Sequence, residues 1–186
     1  IVKNRSGSDN WTVFHSGTGN THFSILNSTS AAIDDNTKWN DTSPTSTLFT
    51  IGSDNNVNRS SDTYVAYAFA PVKGFSAIGS YTGNGNVDGT FVYTGFRPSY
   101  VMIKRTSGES WTIIDYKRLG YNGANRQLFA NQTSIDTTEI RANILSNGFK
   151  SVTTNGEWNA DGATYIYMAF AHSPFVNSNG VPCNAR

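Results

Sequence analysis

"IVKNRSGSDNWTVFH", residues Ile1 to His15, reads as two short strands around a glycine turn. About a hundred residues later, "GFRPSYVMIKRTSGESWTIID", Gly95 to Asp115, carries much the same phrase. Ile1-Val2-Lys3 matches Met102-Ile103-Lys104, and Ser6-Gly7 matches Ser107-Gly108. Trp11-Thr12-Val13 then matches Trp111-Thr112-Ile113, after a turn one residue longer in the first case. Further on, "TYVAYAFA" (Thr63 to Ala70) returns as "TYIYMAFA" (Thr164 to Ala171), with Phe49 placed between the anchors where Phe149 sits. The tryptophan and the later tyrosine are about 53 residues apart both times.

Preserved order and spacing define a duplicated unit. Unit A covers 1–73, a connecting β-hairpin 74–98, unit B 99–176 and a C-terminal tail 177–186. Two units are fewer than a solenoid needs, so either the halves pack on each other or each forms a small sandwich completed by the connector. The alternation within each phrase is that of strands. Ile166, Met168 and Phe170 face one way and Tyr165, Tyr167 and Ala169 the other, as do Val65, Tyr67 and Phe69 against Tyr64, Ala66 and Ala68. Both faces are apolar, which predicts a closing strand buried on both sides in each unit. The connector offers two apolar phrases, Phe75 to Tyr81 and Thr90 to Tyr93, around the glycine-rich turn Gly83 to Gly89. Gly74-Phe75, Gly95-Phe96 and Gly148-Phe149 each open a strand, glycine supplying the turn and phenylalanine the first core anchor. Segments 27–47, 117–125 and 177–186 read as exposed loops or tail.

Composition agrees. Charged residues make up 15% and aromatics 13%, asparagine, serine, threonine and glycine are abundant, and strong helix formers are scarce. The expected fold is all-β: a β-sandwich of jelly-roll or lectin-like type built from two related β-units. Fourteen basic against thirteen acidic residues, with no run of either sign, leave no footprint for nucleic acid and no basic face for a membrane. No apolar stretch is long enough for insertion as a membrane helix. A single cysteine, Cys183, can close no internal disulfide. A start at isoleucine within a strand-like phrase reads as a fragment of a larger parent chain.

Motifs for chemistry are absent from the pattern. His15, His22 and His172 have no metal-ligand spacing with Cys183 or one another. Asp34, Asp35, Asp41, Asp54 and Asp62 lack an EF-hand spacing and read as solvated turn residues. "GNGNVDG" is followed by a strand instead of the helix a phosphate loop requires. No GxSxG elbow occurs. The expectation is therefore no catalytic residue, no metal and no cofactor. Trp39 in "TKWND" and Trp158 in "EWNAD" lie in polar surroundings outside the matched tryptophans, and Tyr121 is placed similarly. An aromatic face beside amides and carboxylates suits a sugar, so these three are the candidate glycan contacts. The alternative is that each ring folds down as a lid on the sandwich edge.

The phrases at 1–16 and 40–105, with "LSNGFK" and "TYIYMAFAHSPF", resemble a repeated domain in structural proteins of tailed bacteriophages, especially marine ones. That domain shows a "GF" or "GLG" turn, a "P-x-x-V-x-I-K" strand, a "W-x-V-Y/F" strand and a closing "T-Y-V/I-A-x-x-F-A" strand. The resemblance implies a virion component on an exterior appendage such as a tail fibre. It further implies assembly as a homo-oligomer, a homotrimer by analogy with fibres, contact with other virion proteins, and recognition of a host-surface glycan. It carries no catalytic motif to transfer. The other reading of the residues is a secreted carbohydrate-binding module or adhesin domain.

Overall fold

The repeated phrases become strands that pair the same way twice. The structure, a computed structural model, describes residues 1–118 and 126–172. In unit A, β1 (Val2–Asn4), β2 (Thr12–Val13), β3 (His22–Ile25) and β4 (Ile33–Asp34) form a meander. The chain returns through two four-residue helices, α1 (Asn36–Trp39) and α2 (Asn55–Asn58), to lay β5 (Tyr64–Ala66) along β1. The connector supplies β6 (Ser76–Thr82) and β7 (Phe91–Tyr93). Unit B repeats the meander as β8 (Pro98–Arg105), β9 (Thr112–Asp115) and β10 (Gln127–Phe129). It then adds the hairpin β11 (Ala142–Leu145) and β12 (Gly148–Ser151), and closes with β13 (Thr164–Ala171) along β8.

The duplication extends to register. Val2 stands opposite Thr12 and Ala66; its counterpart Ile103 stands opposite Thr112 and Tyr167. The Tyr64 hydroxyl donates to the Asn55 carbonyl at 2.6 Å and accepts from the Arg59 amide at 2.7 Å. Tyr165 does the same with Gly156 at 2.6 Å and Ala160 at 2.8 Å. Each tryptophan amide that opens the second strand donates to an asparagine side chain, Trp11 to Asn27 and Trp111 to Asn131. The same side-chain clamps thus fix the same turns in both units, satisfying backbone groups the strands leave over.

The chain is all-β, with three antiparallel sheets stacked in layers. The central sheet, ordered β10-β9-β8-β13-β6, is apolar on both faces. Val101, Ile103, Ile114, Tyr165 and Tyr167 meet Val92, Ile144 and Phe149 of the sheet β11-β12-β7, around Phe96 and Trp158. From its other face, Met102, Trp111 and Ile166 pack on Val13, with Ile1 and Leu26, of the sheet β4-β3-β2-β1-β5. The far side of that sheet is covered by the helices, where Trp39 and Val57 close over Val2 and Phe23. The first packing alternative is realised, since the halves meet through equivalent faces, and the second holds for one unit only: the connector strands β6 and β7 complete a sandwich with unit B and none with unit A.

Several expectations are corrected. The connector is no hairpin, because β6 joins β13 and β7 joins β12. Its glycine-rich loop crosses from one sheet to the next, held by the buried Asn159 amide, which donates to Asn84 Oδ1 and the Asn86 carbonyl, each at 2.8 Å. Segment 27–47 is only partly exposed loop: it contains β4 and α1, and buries Lys38 and Trp39. Asp35 and Asp54 are not idle turn residues. They cap α1 and α2, and both face the buried Lys38, Asp54 at 2.6 Å. Phe49 does not occupy the place of Phe149. Phe149 is buried in β12, whereas unit A puts helices where that hairpin would lie and leaves Phe49 exposed in a loop. Phe75 is exposed as well, so of the three Gly-Phe pairs only Phe96 and Phe149 anchor the core.

A further correction concerns the closing strands. "TYIYMAFA" forms an eight-residue strand, but "TYVAYAFA" forms only three residues of β5, with Tyr67 and Phe69 exposed. The cause is the neighbourhood. β13 lies between β6 and β8, while β5 has β1 on one side and is the edge of its sheet.

Candidate functional site

Two of the three proposed glycan platforms, Trp39 and Trp158, are not on the surface. Trp158 is fully buried; its indole N–H donates to Gln127 Oε1 at 2.6 Å, and its carbonyl accepts from the Tyr81 hydroxyl at 2.8 Å. The adjacent Asn159 amide is spent on the connector loop. Trp39 is 3% exposed and stands edge-on to Phe14, with centroids 6.0 Å apart. Both rings fill cores, and the polar residues beside them serve turns, so neither presents a face to a sugar. Tyr121 lies outside the described residues.

What the described surface does offer is a groove of about 480 Å³ beside β5, with Ile1, Phe14, Leu48, Phe49, Tyr67 and Phe69 among its walls. It exists because unit A lacks a strand beyond β5. The backbone there is nevertheless held in place. The N-terminal ammonium of Ile1 donates to the Tyr67 carbonyl and the Tyr67 amide to the Ile1 carbonyl, both at 2.9 Å. Trp11 stacks on Tyr67 at 6.3 Å, and Phe69 stands edge-on to Phe170 at 5.9 Å. These contacts hold Tyr67 and Phe69 in place past the end of β5. Leu48 and Phe49 add exposed apolar surface to its walls.

At the inner end of the groove, His15 closes the junction between the units. Its Nδ1 accepts from the Gly17 amide at 2.9 Å, so Nε2 carries the proton and donates to the Tyr167 carbonyl at 3.0 Å. Burial holds its pKa below the ordinary 6.5, with the bond to Tyr167 opposing weakly. With both nitrogens engaged, this neutral imidazole is a fastener between sheets. Lys104 plays a comparable part on the opposite strand: its ammonium donates to the Thr29 carbonyl of unit A at 3.1 Å and to the Glu109 carbonyl. Desolvation pushes its pKa down to about 8, against the pull of Glu109. Among the described residues, no three His, Cys, Asp or Glu gather where a metal ion could sit, and no helix is long and apolar enough to cross a membrane.

Fold and groove together define a duplicated, three-layered β domain with an open strand edge beside the groove. The chain belongs to the family described as Domain of unknown function (DUF7483), which it matches over residues 1–174, through both units. No curated protein and no solved structure matches it.

Sequence reasoning missed this edge because it read the two closing phrases as equivalents. The signal was present in "YVAYAFA", an uncharged strand whose expected partner on one side, a counterpart of β6, has no match within unit A.

Proposed function

We propose that the chain is a structural domain of a tailed-bacteriophage virion, carried on an exterior appendage of the tail-fibre kind. There it holds and presents a surface to neighbouring virion proteins and to the host cell, without catalysis and without a cofactor. The observation that carries the reading is the set of matched phrases at 1–16, 40–105 and 164–175. The fold supports it by turning them into clamped, layered sheets whose rigidity needs no disulfide among the described residues. The assembly proposed is a homotrimer, with a host-surface glycan as the receptor class.

Immunogold electron microscopy of intact particles, with mass spectrometry of purified virions, tests the reading. Label on a projection, at a copy number divisible by three, is the expected result. Absence of the protein from purified particles overturns it. Retention of the isolated chain on a glycan array tests the receptor class separately.

A further inference from the structure

The two units differ by one strand, and the difference identifies what the open edge is built to receive. In unit B, β13 is paired on its outer side with antiparallel β6, with Tyr167 opposite Gly79, Met168 opposite Ile78 and Ala169 opposite Ala77. In unit A the same positions are Ala66, Tyr67 and Ala68, at the edge of the sheet. Tyr67 exchanges its hydrogen bonds with Ile1, so by ladder alternation Ala66 and Ala68 aim their N–H and C=O groups outward. Residues 64–70 carry no charge and no proline, two of the devices that keep exposed edges unpaired.

We infer that the β5 edge is a receiving site for one antiparallel β-strand of β6-like chemistry, contributed by a partner polypeptide. The strand is uncharged, with an apolar side chain opposite Tyr67. Register transferred from unit B puts that side chain at the Ile78 position, and Ile78 itself lines the groove. Opposite Ala66 the restriction is lifted. A Cβ on Gly79 of β6 would come within 3.1 Å of the Tyr167 ring, which would have to give way, and Ala66 has no ring. The site is pre-formed by the Trp11–Tyr67 and Phe69–Phe170 contacts, so little ordering cost falls on binding. Strand addition of this kind takes affinity from main-chain bonds and specificity from alternate side chains. The inference rests on the internal duplication and stands independently of the virion reading.

A fluorescent peptide with the sequence of residues 74–83, titrated into the full chain by anisotropy, tests it. Saturable binding is expected, with slowed amide exchange at Ala66 and Ala68. Ala68→Pro removes one outward N–H and leaves the β1 pairing intact; it should weaken binding by about tenfold or more. Phe69→Lys, which keeps every backbone group, should weaken it comparably. Three results overturn the inference: no saturable binding, binding by both variants as tight as by the unsubstituted chain, or a stable dimer of the chain that Ala68→Pro dissolves, which would make a second copy the occupant.

Discussion

Two tryptophans in similar polar phrases carry different hydrogen-bond burdens. Trp158→Phe strands Gln127 Oε1 in the core and should cost about 2–3 kcal/mol. Trp39→Phe removes a buried N–H that has no partner in the structure and should cost about 1 kcal/mol less. Urea denaturation of the pair measures the gap; equal losses would contradict it. Gly148→Ala meets a harder limit, because a Cβ there would lie 2.1 Å from the Val92 carbonyl of the adjoining strand. That substitution should either force β12 from β7 or block folding, seen as lost secondary structure in circular dichroism. Such positions have no signature in sequence. "EWNAD" looks like a surface phrase because its polar atoms are visible, while their partners, Gln127 and Asn84, lie 31 and 75 residues away.

Between elements, the His15 fastener joins the end of β2 to β13 and makes the junction sensitive to acid. Its folded pKa is depressed, so unfolding takes up a proton. The stability it contributes is complete above the ordinary 6.5 and is lost as pH falls below that value. His15→Gln should flatten the melting temperature between about pH 7 and 5 relative to the unsubstituted chain, beyond any general loss. A parallel decline in both proteins would refute the role. The strands themselves were legible: the phrases at Ile1, Met102, Trp11 and Trp111 gave their positions, and alternation in "TYIYMAFA" sorted its two faces correctly. Strand length was not legible in "TYVAYAFA", because pairing on both sides, not propensity, extends β13 to eight residues. The helices at Asn36 and Asn55 escaped for a related reason. Each is four residues long and depends on an aspartate cap and on the shared Lys38, features too short for periodicity to register.

At the scale of the molecule, the central sheet belongs to two cores at once, so neither can melt alone without exposing the other. A single cooperative transition is expected, with fluorescence and circular dichroism coinciding; two separated transitions would show independent units. The alkaline limb should have two parts. Lys104, with a folded pKa of about 8 against an ordinary 10.5, binds fewer protons when folded, so stability rises with pH across that window. Burial raises Tyr81, Tyr165 and Tyr167 above the ordinary 10 and Tyr100 to about 12, so their contribution is lost as pH climbs beyond 10. Lys104→Met should abolish the rise and spare the fall. The layering also sets how the domain meets force. Tension reaching it through the residues after His172 runs along β13, which is bonded to β6 on one side and β8 on the other over nearly its whole length. The two ladders would then be loaded together in shear instead of opening one bond at a time, so extension from this end should meet the resistance of both at once.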